Sequence, residues 1–413
     1  MRNLDRGIDR IEGILVSLLL LLLLSRLLGI LVERVGVHPI IGEVAGGLLL
    51  SPLIFGVVKS SLSLNIFSQF SILMVMLYSG ITTDYASYTR HRKEAVFIAS
   101  GGVLMTFILI YAGARYVLGF SLVASLFMGA ILSNTAIEVS AGVLRRRESG
   151  KIASLVMGAS FADDILAVVV LGVATSLAVT PDGGGSFEEM QSLAVAIAKV
   201  LIFLFVTFYI LTRLLPKFFD RFVQSKESHL FTIAFLLMFL LAIVARYVGL
   251  HEVIGAYLAG LILAKWREEP DPMVRRSILW SRIGGTIDYM ITSLFSPIFF
   301  GYMGIILGEA LSGTTPGGGS LKGLLIIIVI LTALSVAGKI IGCGGTTWLM
   351  GNGWNESLRV GSVMVGRGAL ELVLISYGLF IGYIDTLQSA ALITVTLLTV
   401  FLAPLLHGVF RKG

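Results

Sequence analysis

Two adjacent aspartates, Asp163 and Asp164, stand in the middle of an apolar stretch, Gly158-Ala-Ser-Phe-Ala-Asp-Asp-Ile-Leu-Ala167. Neighbouring positions on a helix point about 100° apart, so the two carboxylates cannot both face one partner and a division of labour is expected. Side by side they repel, and burial disfavours their charged forms. Such a group holds a proton or, once ionised, a hard monovalent cation such as Na+, Li+ or K+. Proton and cation then compete for one site. If the loaded site can face either side of a membrane and the empty charged site cannot cross, exchange is obligatory.

Few other charges interrupt apolar sequence. Lys339 lies in Ala337-Gly-Lys-Ile-Ile-Gly-Cys343 and is expected to pair with a buried acid. Arg367 and Glu371, in Gly366-Arg-Gly-Ala-Leu-Glu371, are spaced to pair on one helix face, and are expected to brace the structure rather than hold an ion. Glu138 follows Ser133-Asn-Thr-Ala136 and divides evenly between a structural and a ligand role. Glu43 is expected at a membrane interface or a cytoplasmic vestibule.

The elements that must position these residues follow from composition. Of 413 residues, 56% are hydrophobic and 14% charged, against about a quarter charged in soluble chains. Apolar runs long enough to cross ~30 Å of hydrocarbon recur throughout. This is an all-α polytopic membrane protein, which excludes a soluble enzyme and argues against a nucleic-acid partner. The net charge of +6 reflects basic loops, and the single cysteine, Cys343, excludes an intrachain disulfide and a cysteine metal cluster.

About 13 transmembrane helices are expected, near 11–32, 39–57, 64–83, 94–117, 121–143, 151–178, 191–214, 228–248, 252–265, 286–308, 321–342, 356–378 and 384–407. The first lacks a cleavage site and is read as a retained span. Pro181 to Ser186 and Gly313 to Ser320 read as exterior turns. Most of the 31 basic residues fall at alternate junctions, including Arg145 to Arg147 and Arg275-Arg276. The positive-inside rule then places the N-terminus outside and the C-terminus in the cytoplasm. A bacterial or archaeal plasma membrane is the expected location.

The segment His38-Pro-Ile-Ile-Gly-Glu-Val-Ala-Gly-Gly-Leu-Leu-Leu50 matches His251-Glu-Val-Ile-Gly-Ala-Tyr-Leu-Ala-Gly-Leu-Ile-Leu263. The two are seven spans apart. An odd offset inverts one copy relative to the other, as in secondary transporters with a mid-membrane site. A single membrane domain is therefore expected, with a first repeat over 1–178, a linking helix at 191–214, an inverted second repeat over 228–407 and no soluble regulatory domain. The same offset pairs 121–143 with 356–378. Both carry polar interruptions, Ser133 to Glu138 and Gly366 to Glu371, and read as two broken crossing helices.

In order along nearly the whole chain, these features resemble the cation:proton antiporter-2 branch of the Na+/H+ antiporter superfamily. The residues that carry the resemblance are Asp163-Asp164, Ser133-Asn-Thr-Ala136, Pro39-Ile-Ile-Gly-Glu-Val-Ala-Gly-Gly47, Gly255-Ala-Tyr-Leu-Ala-Gly260, Pro297-Ile-Phe-Phe-Gly-Tyr-Met-Gly304, Lys339 and Gly366-Arg-Gly-Ala-Leu-Glu371. The resemblance implies a core domain and a dimerisation domain, a homodimer, and elevator-like movement of the core. It implies Asp164 as the main cation and proton carboxylate, Asp163 as its partner bridged to Lys339, and Thr135 beside them with Asn134 and Ser133. No cofactor is implied, because Na+ and H+ are cargo. The double aspartate with a lysine resembles electrogenic members. Glu138, and a glutamate four rather than two residues after Arg367, depart from the family pattern.

Two other transport readings remain open from the residues alone: a sodium-coupled organic-anion symporter of the same general fold, and a passive cation channel. An intramembrane aspartyl protease needs its two aspartates on separate helices sharing a water, which adjacent residues do not provide.

Overall fold

In the computed structural model the described residues are 2–35, 37–82, 92–147, 151–179, 227–248, 250, 252–268, 284–312 and 321–412, with scattered positions between 195 and 213. Among them every regular element is helical. In chain order these are α1 (Arg2–Arg34), α2 (Pro39–Leu50), α3 (Leu62–Thr82), α4 (Arg92–Ala112), α5 (Leu122–Ser133), α6 (Ile137–Arg147), α7 (Lys151–Val179), α8 (Glu227–Val248) and α9 (Glu252–Glu268). They continue as α10 (Ser296–Leu311, the end of a span from Gly284), α11 (Leu321–Lys339), α12 (Trp354–Val363), α13 (Ala369–Phe380) and α14 (Thr386–Lys412).

Eight described helices are long and apolar enough to cross a membrane, and α2, α5 and α13 are shorter apolar helices. Each expected span overlaps a described helix or a pair of half-helices, although the expected 39–57 is helical only over Pro39–Leu50, and 191–214 lies largely outside the described residues. The expected turns at 181–186 and 313–320 lie outside them as well. Local chemistry sets several boundaries. Ser121 accepts the Ala124 N–H at the start of α5, and Asp385 and Gln388 cap α14 reciprocally through each other's backbone N–H.

The helices form two packed groups. In the first, α1 packs on α2, α2 on α10, α8 on α9, and α9 on α3. In the second, α4 packs on α5, α7 and α11, while α14 packs on α11 and α12. The groups meet chiefly where α10 passes α14 and α3 passes α13.

In the first group the two matching segments make matching contacts. Gly42 of α2 lies against the backbone of Leu28 and Gly29 in α1, and its counterpart Gly255 of α9 lies against Leu241 and Ala242 in α8. Gly304 of α10 abuts Val44 and Leu48 of α2, and Gly80 of α3 abuts Tyr257 and Leu261 of α9. Val44 and Leu48 are the residues that the sequence match pairs with Tyr257 and Leu261. At all four glycines an added Cβ would overlap a backbone atom of the neighbouring helix. Small residues let helix backbones approach closely where lipid supplies no hydrophobic drive between helices. Conversely, Leu15, Leu19, Leu23, Leu27 and Leu31 lie exposed along α1, as lipid permits.

Candidate functional site

Two interrupted helices build the frame of the site. The first stops at Ser133, runs extended through Asn134, and resumes at Ile137; the second stops at Val363 and resumes at Ala369. The two breaks are joined by the Ala136 N–H donating to the Gly366 carbonyl at 3.0 Å. Gly366 permits this approach, since a side chain there would strike Val139 of α6. Each break leaves a half-helix C-terminus with unfilled carbonyls and a half-helix N-terminus with unfilled N–H groups.

Side chains fill these ends by charge. The fully buried Arg367 guanidinium donates to the Asn134 carbonyl at 2.8 Å, to the Leu132 carbonyl, and to the Ser335 hydroxyl of α11. It is a cation at the C-terminal, partially negative end of α5. Glu371 accepts the Gly368 N–H at 2.7 Å, an anion at the N-terminal end of α13. The Thr135 hydroxyl donates at 2.8 Å to the Met364 carbonyl, at the end of α12. The i, i+4 spacing suggested that Arg367 and Glu371 share one helix face. Arg367 instead precedes the start of α13, so the spacing is not helical there, and the two residues serve ends of different half-helices.

Helix α7 brings the double aspartate beside this crossing. Asp163 is 0% exposed and Asp164 5%. The Lys339 ammonium stands 2.7 Å from Asp163 Oδ2, with both side chains fully buried. Lys339 closes α11 just before a π-helical turn, Ile340–Gly344, and Gly101 and Gly102 of α4 let the following residues pack close, since side chains there would strike Thr346 and Cys343. Helical π turns are frequent at functional sites. Thr135 lies close to Asp163. On its other side Asp164 accepts the Tyr257 hydroxyl of α9 at 2.8 Å. The carboxylates thus do diverge as helical geometry requires, Asp163 toward α11 and Asp164 toward α9.

Some polar atoms nearby have no hydrogen-bond partner among the described residues: both side-chain polar atoms of Asn134, and Oδ1 of Asp163, are buried in this way. Such atoms are costly to bury without a partner. Ser133 turns inward on its own helix, donating to Ala130 O at 2.9 Å. The side chain of Glu138, on α6, lies outside the described residues.

Glu43 is enclosed between helices. It is 1% exposed, wedged against Gly29 of α1, and accepts the Ser296 hydroxyl of α10 at 2.5 Å. Gly42 and Gly46 of α2 draw that helix close to α1 beside it. Tyr257, Ser296 and Ser335 were not singled out from sequence. For Tyr257 a signal existed: a hydroxyl stands in an apolar helix where the first repeat has Val44.

A model of the transmembrane sodium/hydrogen exchanger family matches residues 19–408. The chain belongs to that family. It is 25% identical over 372 residues to the probable Na+/H+ antiporter GerT of Bacillus cereus, covering 88% of this chain and 90% of that one. The high-affinity Na+/H+ antiporter NhaS3 of Synechocystis is 26% identical, with 95% of this chain and 89% of that one covered. Among solved structures, the sodium proton antiporter MjNhaP1 of Methanocaldococcus jannaschii superposes with a TM-score of 0.66 over 98% of this exchanger and 99% of that chain. At 18% identity that likeness speaks for the fold alone.

Proposed function

We propose that this exchanger is a secondary antiporter that moves a monovalent cation, Na+ first and Li+ or K+ as alternatives, against protons by alternating access. The observation that carries this reading is the buried pair on α7, in which Asp163 is matched by Lys339 while Asp164 faces the other helix group. Asp164 is the carboxylate that proton and cation occupy in turn. Asp163 holds Lys339, and Asn134 and Thr135 offer oxygens beside it, with Ser133 at the helix end. Arg367 and Glu371 support the crossing. Family membership and relatives named as Na+/H+ antiporters support the same assignment.

On this reading the chain crosses a bacterial or archaeal plasma membrane 13 times, with 191–214 as the seventh span, the N-terminus outside and the C-terminus cytoplasmic. It works as a homodimer, needs no cofactor, and is not an enzyme. A lysine released from Asp163 as the cation arrives would supply a second proton and make exchange electrogenic.

The test is exchange in proteoliposomes. A pre-set pH gradient should collapse on adding Na+, Li+ or K+, and Asp164→Asn should abolish the response. Absence of any cation-dependent proton movement by the unmodified protein would refute antiport.

A further inference from the structure

The Tyr257–Asp164 hydrogen bond is a polar tie between the two helix groups at the site itself. Tyr257 belongs to α9, packed on α3 and α8; Asp164 belongs to α7, packed on α4 and α5. The hydroxyl donates to Asp164 Oδ2 at 2.8 Å, with Tyr257 buried. The backbone around Tyr257 is clamped, because Gly80 of α3 packs directly on its carbonyl. A phenol so held has little freedom to follow α7 if α7 moves.

We propose that Tyr257 is a positioning residue that latches the empty, ionised Asp164 to the α3–α9 side, competes with the incoming cation for Oδ2, and so keeps the unloaded carrier from crossing. This rests on Asp164 being the carrier of cation and proton. A hydrogen bond to a charged acceptor is stronger than one to a neutral acceptor. The tie is therefore strongest when the site is empty and charged. A cation or a proton on Asp164 neutralises it, weakens the tie and frees the second helix group to move. Among the described residues, the charged and titratable groups against the Asp163-Asp164 pair include Lys339 from α11 and Arg367 at the crossing, which act on Asp163, and Tyr257 from α9, which bonds Asp164. Tyr257 is contributed by the first group.

The test uses full-length protein in proteoliposomes, at alkaline pH where protons compete little, with Tyr257→Phe. The ring is retained, so packing against α3 is kept. Removing the latch should lower the apparent KM for Na+ roughly tenfold, the worth of one hydrogen bond to a charged group. It should also loosen coupling, so that radiolabelled Na+ runs down its gradient without an equivalent of proton movement. Replacing Tyr257 by 3-fluorotyrosine, a stronger donor of nearly the same shape, should raise the apparent KM instead when both proteins are assayed near neutral pH, where the more acidic phenol keeps its proton. It also decides the question if the phenylalanine variant fails to fold. A higher KM in Tyr257→Phe would make the hydroxyl a cation ligand and overturn the latch, as would unchanged KM and coupling in both variants. If the unmodified protein exchanges and Asp164→Asn does not, either result sinks the latch and leaves antiport standing. If the unmodified protein shows no exchange, both readings fall together.

Discussion

The Arg367 guanidinium donates to the Asn134 carbonyl at 2.8 Å, so the side chain of one interrupted helix closes the open end of the other. The contact spans 233 residues of chain and also engages Leu132 O and Ser335. A single fork of N–H donors thereby satisfies carbonyls that neither helix can satisfy by itself. Lysine has the charge but not the fork.

Arg367→Leu should therefore destabilise the protein by about 3 kcal/mol or more, since it exposes unsatisfied carbonyls in a buried site and removes a charge from the crossing. Arg367→Lys should fall between the two. Thermal unfolding in detergent, followed by the loss of monodisperse protein, measures the order. Equal stability of Arg367→Leu and the parent would contradict a capping role.

Lys339 and Asp163 should behave as a coupled pair. Removing either partner leaves a buried charge without its counterion, a loss of about 3–5 kcal/mol for a fully buried pair. The double change Lys339→Gln with Asp163→Asn should recover much of that loss, because two neutral side chains can still hydrogen-bond. A double-mutant cycle on unfolding midpoints checks this, and strict additivity would show that the pair is not coupled.

Asn134 and Thr135 should separate into two phenotypes. The Asn134 side chain has no hydrogen-bond partner among the described residues, so Asn134→Ala should leave the unfolding midpoint nearly unchanged while raising the apparent KM for the cation. Thr135→Val loses the hydrogen bond to Met364 O and should cost about 1 kcal/mol in stability. Parallel unfolding and flux measurements on both variants distinguish them.

Proton and cation competition for Asp164 predicts a definite pH dependence. Where the proton holds the site, the apparent KM for the cation should rise about tenfold for each pH unit lowered, by mass action at one shared carboxylate. Initial rates of cation-driven proton movement, measured across a series of pH values with saturating and limiting Na+, test it. A KM that stays flat while the maximal rate falls would point to separate sites.

The repeat predicts matched packing defects. Gly80→Ala and Gly304→Ala each push a methyl group into the backbone of an adjacent helix and should each cost about 1–3 kcal/mol. Gly345→Ala, where an added Cβ meets open space, should be close to neutral. Unfolding midpoints that rank the three otherwise would remove the close-contact explanation.

The apolar spans, the matching segments and the charges inside apolar runs were legible in the amino-acid order because each has a local or periodic cause. Hydrocarbon demands long apolar windows, so an aspartate pair or a lysine inside one stands out by residue type alone. The glycines matched between His38–Leu50 and His251–Leu263 likewise mark close helix contacts in both copies. The breaks after Ser133 and before Ala369 were visible as polar and glycine interruptions. What these groups touch was not legible. Arg367 binds backbone carbonyls, which every residue has, so no side-chain type signals its partners. Glu43 meets Ser296 only because the packing of α1, α2 and α10 brings them together. Tyr257 was one polar atom in an apolar helix, and only the juxtaposition of α9 with α7 decides that it meets Asp164. Sequence alone determined which residues are too costly to sit in lipid without a purpose. Their partners lie up to a few hundred residues away, and the tertiary structure decided which of them meet, because only packing brings such distant side chains within hydrogen-bond reach.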